Sequence, residues 1–180
     1  MALPGTRQPD VAVPVRRPRL RLVDQQTKTA DLRFFVVPKD QLDAWWPEAA
    51  DAVLAVKKRN PASWSPEQVR QVVETDRALL CLTFHGKRVA GVTFVCRDGD
   101  QFADAFDWLV WIAWADPKNV TEGVARAVTE FTQREIEAEA MRRGARALRI
   151  HVPRKGWTKL AEKLGYELLE RVYVKRLVRG

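Results

Sequence analysis

The sequence contains few of the residues that form disulfide frameworks or metal sites. Its 180 residues include two cysteines and two histidines. Cys81 and Cys96 fall in the two strands of a predicted hairpin in which Cys81 lies opposite Val92. An offset of four residues, about 13 Å, then separates the thiols, beyond the ~7 Å limit between the Cα atoms of a disulfide. We therefore expect two reduced thiols and no metal site, which excludes a disulfide-stabilised secreted domain.

Long apolar runs are also lacking. No run reaches the ~18 residues of a membrane-spanning helix, and the first ten residues, MALPGTRQPD, lack the apolar core of a secretory signal. These absences predict a cytoplasmic protein with no membrane partner. The length suits one domain with a sizeable core. The net charge of +8 permits nucleic acid, an acidic protein surface or a phosphorylated ligand, and selects none of them.

The composition changes at about residue 30. Residues 1–30 contain four prolines and a cluster of arginines at positions 16, 17, 19 and 21, with few hydrophobic residues. This composition predicts an extended, basic N-terminal arm that becomes ordered when a protein partner or an assembly holds it. No aromatic residue is interleaved with the arginines, so specific nucleic-acid recognition is not expected. Residues 31–180 form the predicted globular domain.

The globular part alternates strand-like and helical segments in the order β-α-α-β-β-β-α-β-α-β. Two short apolar segments, 78–84 and 88–96, predict a hairpin about Gly86. Pro47 lies within the first helical segment, where it predicts a kink or two short helices. The whole pattern predicts a single α/β domain, with a mixed central sheet of about six or seven strands flanked by about four helices.

The stretch from Ala105 to Ala125 carries the candidate site. An apolar run over residues 106–115 predicts a buried strand, which Asp116 and Pro117 end before helical spacing begins at Val120. A helix that starts directly after such a strand presents unpaired backbone N–H groups and the positive end of its dipole. Both features favour an anion.

The element order and three segments resemble the GNAT (Gcn5-related N-acetyltransferase) superfamily over about residues 32–177. ALLCLTFHGKRVAGVTFVCR resembles the second and third strands of that family, and WTKLAEKLGYELLERVYVKRL resembles its closing helix and last strands. Between them, Pro117, Gly123 and Ala125 match the spacing of the loop that binds the acetyl-CoA pyrophosphate, (Gln/Arg)-x-x-Gly-x-(Gly/Ala). The resemblance implies a GNAT-like acyltransferase domain with acetyl-CoA as its cofactor.

The resemblance also implies where acetyl-CoA binds. The pantetheine chain is expected along the end of the central strand, and the pyrophosphate at the start of the next helix. The implied pantetheine residues are Trp114, Ala115 and Asp116. The implied pyrophosphate residues are Thr121, Glu122, Gly123, Val124, Ala125 and Arg126. Close packing of a helix on a strand, without any ligand, is the alternative interpretation of Gly123.

The sequence departs from the family at the positions that carry catalysis. Val120 stands at the leading Gln/Arg position of the loop, and Ala161 stands where the family has a tyrosine that often acts as general acid. Tyr166 occupies an aromatic position that is normally part of the core. Asp107 is the candidate base for the amine proton, with a solvated carboxylate at a strand end as the alternative interpretation.

Two functions are therefore weighed. The first is an acetyl-CoA-dependent N-acetyltransferase with a partly degenerate site, which transfers acetyl directly to an unknown amine in a pocket lined by tryptophans. The second is a catalytically inactive GNAT-fold structural or binding protein, for example a phage virion component, held in an assembly by residues 1–30. The spacing of Pro117, Gly123 and Ala125 favours the first, and the residues Val120 and Ala161 favour the second.

Overall fold

The computed structural model describes residues 31–59, 64–98, 106–151 and 155–168. These ranges contain five strands: β1 (Leu32–Val36), β2 (Ala78–His85), β3 (Arg88–Asp98), β4 (Asp107–Ala115) and β5 (Leu148–Ile150). They contain four α-helices: α1 (Leu42–Arg59), α2 (Pro66–Glu74), α3 (Glu122–Arg142) and α4 (Lys155–Lys163). The predicted arm, residues 1–30, lies outside the described residues. So does most of the segment after Tyr166 that was expected to add further strands.

The five strands form one mixed sheet in the order β1-β2-β3-β4-β5. The first four are antiparallel to their neighbours, whereas β4 and β5 are parallel. A parallel pair needs a crossover connection, and α3 provides it between β4 and β5. The predicted single α/β domain is confirmed, and so is the element order as far as α4, the last described element. The expected count of six or seven strands is not reached within the described residues, which contribute five.

The hairpin of β2 and β3 turns at Gly86, whose φ of +61° a glycine adopts without strain. His85 pairs with Arg88, but a bulge shifts the register beyond Phe84. Cys81 consequently lies opposite Thr93, so the predicted opposition of Cys81 and Val92 is wrong by one residue. Both cysteines are free, as expected.

The helices begin and end largely at the residues that the sequence indicates. Ser65 caps α2 through a capping box with Gln68. Gly144 follows α3 with φ +75°, and Ala145 N–H donates to the Ala140 carbonyl at 2.9 Å, a bond typical of a glycine C-cap. Helix α1 runs unbroken through Pro47, so the alternative of two short helices is wrong. No α-helix in the described ranges has the length and hydropathy needed to cross a membrane.

Apolar side chains form a core on each face of the sheet. On one face, α1 and α2 cover Leu80, Leu82 and Phe94, which are fully buried. On the other face, α3 packs Val124, Val128 and Ile136 against the sheet in two adjoining clusters. The end of β4 lies between these layers and leads into α3, so it is where the chain passes from the sheet to a helix start.

Candidate functional site

Among the described strands, only β3 pairs with the second half of β4. β4 pairs with β3 along its whole length, but it pairs with β5 only at Trp108, Leu109 and Val110. The next residue, Trp111, is the extra residue of a bulge, because Val110 pairs with Val95 and Ile112 with Phe94. Bulges bend a strand and increase its twist. Within the described part of the chain, β4 from Trp111 to Ala115 therefore leaves an open edge on the side of β5.

Two alanines direct their backbone groups to this open edge. Asp116 N–H donates to the Ala90 carbonyl at 2.9 Å, and the Trp114 carbonyl lies 3.5 Å from a Cβ built on Gly91. Both groups therefore point to β3. Because successive residues of a strand present their backbone groups to opposite sides, those of Ala113 and Ala115 point to the open edge. The sequence indicated Ala115 but missed Ala113, since no pattern in the run reveals the bulge at Trp111.

The side chain of Trp114 contributes a polar group that has no partner. Its indole Nε1 is buried, and none of the described residues accepts a hydrogen bond from it. The ring packs against the core beneath α1, as does that of Trp111, whose ring meets Trp64 edge to face with centroids 5.9 Å apart. A buried, unpaired N–H lowers the stability of the folded state by about 1–3 kcal/mol. A ligand atom that accepted a hydrogen bond from Nε1 would offset this cost.

Asp116 organises the turn that joins β4 to α3. Its carboxylate accepts bonds from Lys118 N–H at 2.9 Å and from Asn119 Nδ2 at 2.6 Å. Its carbonyl accepts from Asn119 N–H and Val120 N–H, and its own N–H is bonded to β3. The polar groups of Asp116 are thus occupied within the protein. A role at the pantetheine edge stays a prediction for this residue, whereas its role in shaping the turn follows from these contacts.

The turn ends at Thr121, the N-cap residue of α3, whose backbone is extended and whose side chain makes no capping bond. The Thr121 carbonyl accepts from Val124 N–H at 3.0 Å and from Ala125 N–H at 2.8 Å. The N–H groups of Glu122 and Gly123 are the first two of α3, and helix geometry gives them no partner within the helix. The first turn of α3 therefore presents backbone donors beside Gly123, which is exposed. Free donors and the helix dipole together favour an anion.

Arg126 lies on the exposed surface of the next turn. Its Nε donates to Glu130 at 3.0 Å, and Lys163 of α4 donates to the same carboxylate oxygen at 3.0 Å. These contacts, with that of Lys163 the stronger, lower the pKa of Glu130. With its side chain 64% exposed, Arg126 keeps donors for a second anion near the helix start.

The positions where the sequence departs from the GNAT family are occupied by buried groups. Val120 packs against Val124 and Val128 beneath α3, and Ala161 is 8% exposed. Tyr166 accepts a hydrogen bond from Gln133 Nε2, and burial raises the pKa of its phenol. A raised phenol pKa disfavours the phenolate, as is typical of a core tyrosine.

Asp107 lies at the opposite end of β4 from the helix start. Eight residues, about 26 Å of strand, separate it from Ala115. Its carboxylate is buried and holds Arg146 and Arg149. The hydrogen bond from Arg146 is the main reason that the pKa of Asp107 lies below its ordinary value. This geometry favours a structural ion pair, and the role of Asp107 as a base stays a prediction.

Two cavities lie away from the open edge. The first, of about 340 Å³, is lined by Arg33, Phe34, Phe35, Trp45 and Phe84 beside β1. The second, of about 310 Å³, lies among the end of β1, the start of β2 and Arg143. Neither includes Ala113, Ala115 or the start of α3. Within the described residues, the candidate site is therefore the open edge of β4 together with the start of α3, and we call this open edge the slot.

Comparison with solved structures identifies the fold. A probable acetyltransferase superposes with a TM-score of 0.61 and 12% identity over 82% of this chain and 99% of that chain. A ribosomal-protein-alanine N-acetyltransferase from Brucella melitensis superposes with a TM-score of 0.60 and 14% identity over 81% of this chain and 99% of that chain. A GNAT family acetyltransferase from Staphylococcus aureus superposes with a TM-score of 0.55 and 9% identity over 82% of this chain and 99% of that chain. The chain thus has the GNAT acetyltransferase fold, which confirms the predicted resemblance at the level of fold.

Comparisons of the sequence itself gave no match, either to protein-family models or to curated proteins.

Proposed function

We propose that the protein is an acetyl-CoA-dependent N-acetyltransferase that transfers an acetyl group directly to an amine. The observation that carries the proposal is the continuity of the open edge of β4 with the start of α3, where the first N–H groups of the helix, those of Glu122 and Gly123, lie. An extended chain with a pyrophosphate at one end needs these two features in this order. The neighbouring acetyltransferase folds support the same assignment.

The residues present suit such a ligand. Ala113 and Ala115 offer backbone donors and acceptors for the amide groups of a pantetheine chain. Gly123 and Glu122 offer N–H groups for the pyrophosphate, and Arg126 offers a guanidinium within one turn of them. Val124 and Ala125, whose N–H groups are bonded to Thr121, would complete the first turn without contacting the phosphates directly.

The chemistry requires a bond from the amine nitrogen to the acetyl carbon, and loss of the bond from that carbon to sulfur. Bound acetyl-CoA would supply the acetyl group as a thioester. The protein's part is to hold the chain along β4. The amine gives up a proton to water and the departing thiolate takes one from water, since the polar groups of Asp107 and Tyr166 are engaged elsewhere. Trp111 and Trp114 of β4 lie on the α1 face and would border the acceptor in this arrangement, whereas Trp108 packs on the α3 face.

The alternative is a GNAT-fold binding or structural protein without catalysis, held in an assembly by residues 1–30. The specific observations that favour it are Val120 and Ala161, which place buried aliphatic groups where the family carries functional side chains. In that case, deleting residues 1–30 would leave the free energy of unfolding nearly unchanged and remove association with the partner. A large loss of stability would place that segment in the core instead.

The test is calorimetric titration of the purified protein with acetyl-CoA and with CoA, repeated with Gly123→Phe. A phenylalanine in the first turn would obstruct approach of phosphate to the backbone, so micromolar binding by the natural protein should be lost. Met141→Phe is the matched control, because Met141 lies near the far end of the same helix and is 73% exposed. It should bind as the natural protein does.

Two results would contradict the proposal. Equal affinity of Gly123→Phe and the natural protein would show that the start of α3 is not the phosphate site. Absence of binding by the natural protein at millimolar acetyl-CoA would favour the non-catalytic alternative.

A further inference from the structure

A buried carboxylate ties the start of β4 to β5. Asp107 Oδ1 accepts from Arg146 Nε at 3.0 Å, and Asp107 Oδ2 accepts from Arg146 Nη2 at 3.2 Å and from Arg149 Nη2 at 2.8 Å. The Asp107 side chain is 3% exposed, while those of Arg146 and Arg149 are 62% and 39% exposed. The aspartate is therefore the buried centre of the contact, and the arginines come to it from the chain that forms β5.

Backbone bonds close the same end of the strand pair. Arg146 N–H donates to the Phe106 carbonyl and Trp108 N–H donates to the Ala147 carbonyl, both at 2.8 Å. Arg149 also approaches β3, where its Nη1 lies 3.6 Å from Asp98 Oδ2. We call Asp107, Arg146, Arg149 and the two backbone bonds the Asp107 clasp. It joins β4 to β5 at the beginning of their ladder, three residue pairs before the pairing ends at Val110.

The ladder next to the clasp is short. It consists of three residue pairs and ends at Val110 with Ile150. β4 then runs on for five residues, about 16 Å, along the open edge. With only three pairs, a shift of β5 at the clasp also moves Ile150, the described residue beside which the open edge begins. Reacting groups tolerate little movement, because a misplacement of about 1 Å costs roughly 100-fold in rate.

We propose that Asp107 is a positioning residue that holds β5 on β4 and thereby fixes the point at which the two strands part, where the slot for the pantetheine chain begins. The inference rests on the proposed function for its ligand, although the clasp is a property of the free protein. It replaces the interpretation of Asp107 as a base. Both oxygens of the carboxylate are bonded, and the residue lies about 26 Å of strand from Ala115.

The test compares the natural protein with Asp107→Asn, which preserves shape and removes the charge. Hydrogen exchange of the ligand-free proteins should show the amides of β5 exchanging at least about tenfold faster in the variant, with those of α1 unchanged. The dissociation constant of CoA should rise by about tenfold, because the apparent affinity falls with the fraction of molecules that keep the binding-competent arrangement of the two strands. In turnover assays KM should rise more than kcat falls.

The matched control is Asp76→Asn. Asp76 is 79% exposed and pairs with Lys39 outside the clasp, and its φ of +57° suits asparagine as well as aspartate. In this variant, the hydrogen-exchange rates of the β5 amides should stay within about twofold of those of the natural protein. The dissociation constant of CoA should do the same, as expected for an exposed pair. If Asp107→Asn does not fold, Arg146→Gln removes two of the three bonds and leaves that of Arg149, so it tests the same contact.

The outcomes separate the inference from the proposed function. If the amides of β5 exchange at the same rate in Asp107→Asn as in the natural protein, the clasp does not hold β5 to β4. Faster exchange with unchanged CoA affinity overturns the role of Asp107 in the slot. A fall in kcat alone would restore the interpretation of Asp107 as the general base. If the natural protein binds no CoA, the proposed function fails, and exchange in β5 alone then decides whether Asp107 holds the two strands together.

Discussion

Gly91 on β3 lies directly beneath Val128 on α3. A Cβ built on the glycine would approach Val128 Cγ1 to 3.2 Å, which is closer than ordinary van der Waals contact. Gly91 also pairs with Ala115, the last residue of the open edge. This close approach therefore fixes the height of α3 above the sheet at the end of β4, where the candidate site begins.

Gly91→Ala should destabilise the protein by about 1 kcal/mol or more, because an added methyl group in a packed core forces its neighbours apart. Val128 has little room to respond, since a valine in a helix strongly prefers one rotamer. Urea unfolding measures the change. The double variant Gly91→Ala/Val128→Ala should lose less stability than the two single changes together. Additive losses would show that the two residues do not press on each other.

The buried hydroxyls of Thr83 and Thr132 offer a second test of the packing beneath α3. The two oxygens lie 2.5 Å apart, and both residues are at least nine-tenths buried. Thr83→Val should cost about 1–3 kcal/mol, because it leaves the Thr132 hydroxyl without its partner on β2. Thr83→Val/Thr132→Val should recover most of that loss in urea unfolding, since neither hydroxyl then remains. A double variant as unstable as the single one would assign the cost to shape rather than to hydrogen bonding.

The sequence predicted the positions of turns, caps and element ends more completely than the pairing registers of the strands. The turn at Gly86, the cap at Ser65 and the break after Ala115 each follow from a local backbone preference, which is why their positions were predicted. The two bulges have no such signature, because the packing of the layers decides them. They shifted the partner of Cys81 by one residue and directed the backbone of Ala113 to the open edge.

The contacts of the candidate residues were harder to predict than their positions. Asp107 looked available for catalysis because a sequence shows no partners, and two arginines about 40 residues later turned out to hold it. The resemblance implied that Asp116 lies at the pantetheine edge, whereas its carboxylate accepts hydrogen bonds within the turn that follows β4. In both cases, long-range or loop contacts occupied groups that spacing alone left free.

Trp114→Phe should weaken binding of the acyl donor if the buried indole N–H donates to it. Phenylalanine keeps an aromatic ring on the core and removes the unpaired N–H, so the fold should tolerate the change. Loss of one such bond should raise the dissociation constant by about tenfold. Calorimetry with acetyl-CoA and with CoA locates the acceptor. A loss seen with acetyl-CoA alone would assign the bond to the acetyl oxygen, and a loss with both ligands to the pantetheine chain. Unchanged affinity for both would exclude Trp114 from the site.

The contribution of Asp107 to stability should depend on pH in the acid range. Its pKa in the folded protein lies below the ordinary value of 3.8, chiefly because of Arg146. A carboxylate of this kind stabilises the folded state fully above the unfolded-state pKa, and the contribution is lost as the pH falls through the folded-state pKa. Asp107→Asn should therefore lower the free energy of unfolding by on the order of 1–3 kcal/mol at pH 7. This difference should hold down to about pH 5 and shrink below about pH 4. A difference that stays constant across this range in urea titrations would show that the charge of Asp107 is not what stabilises the clasp.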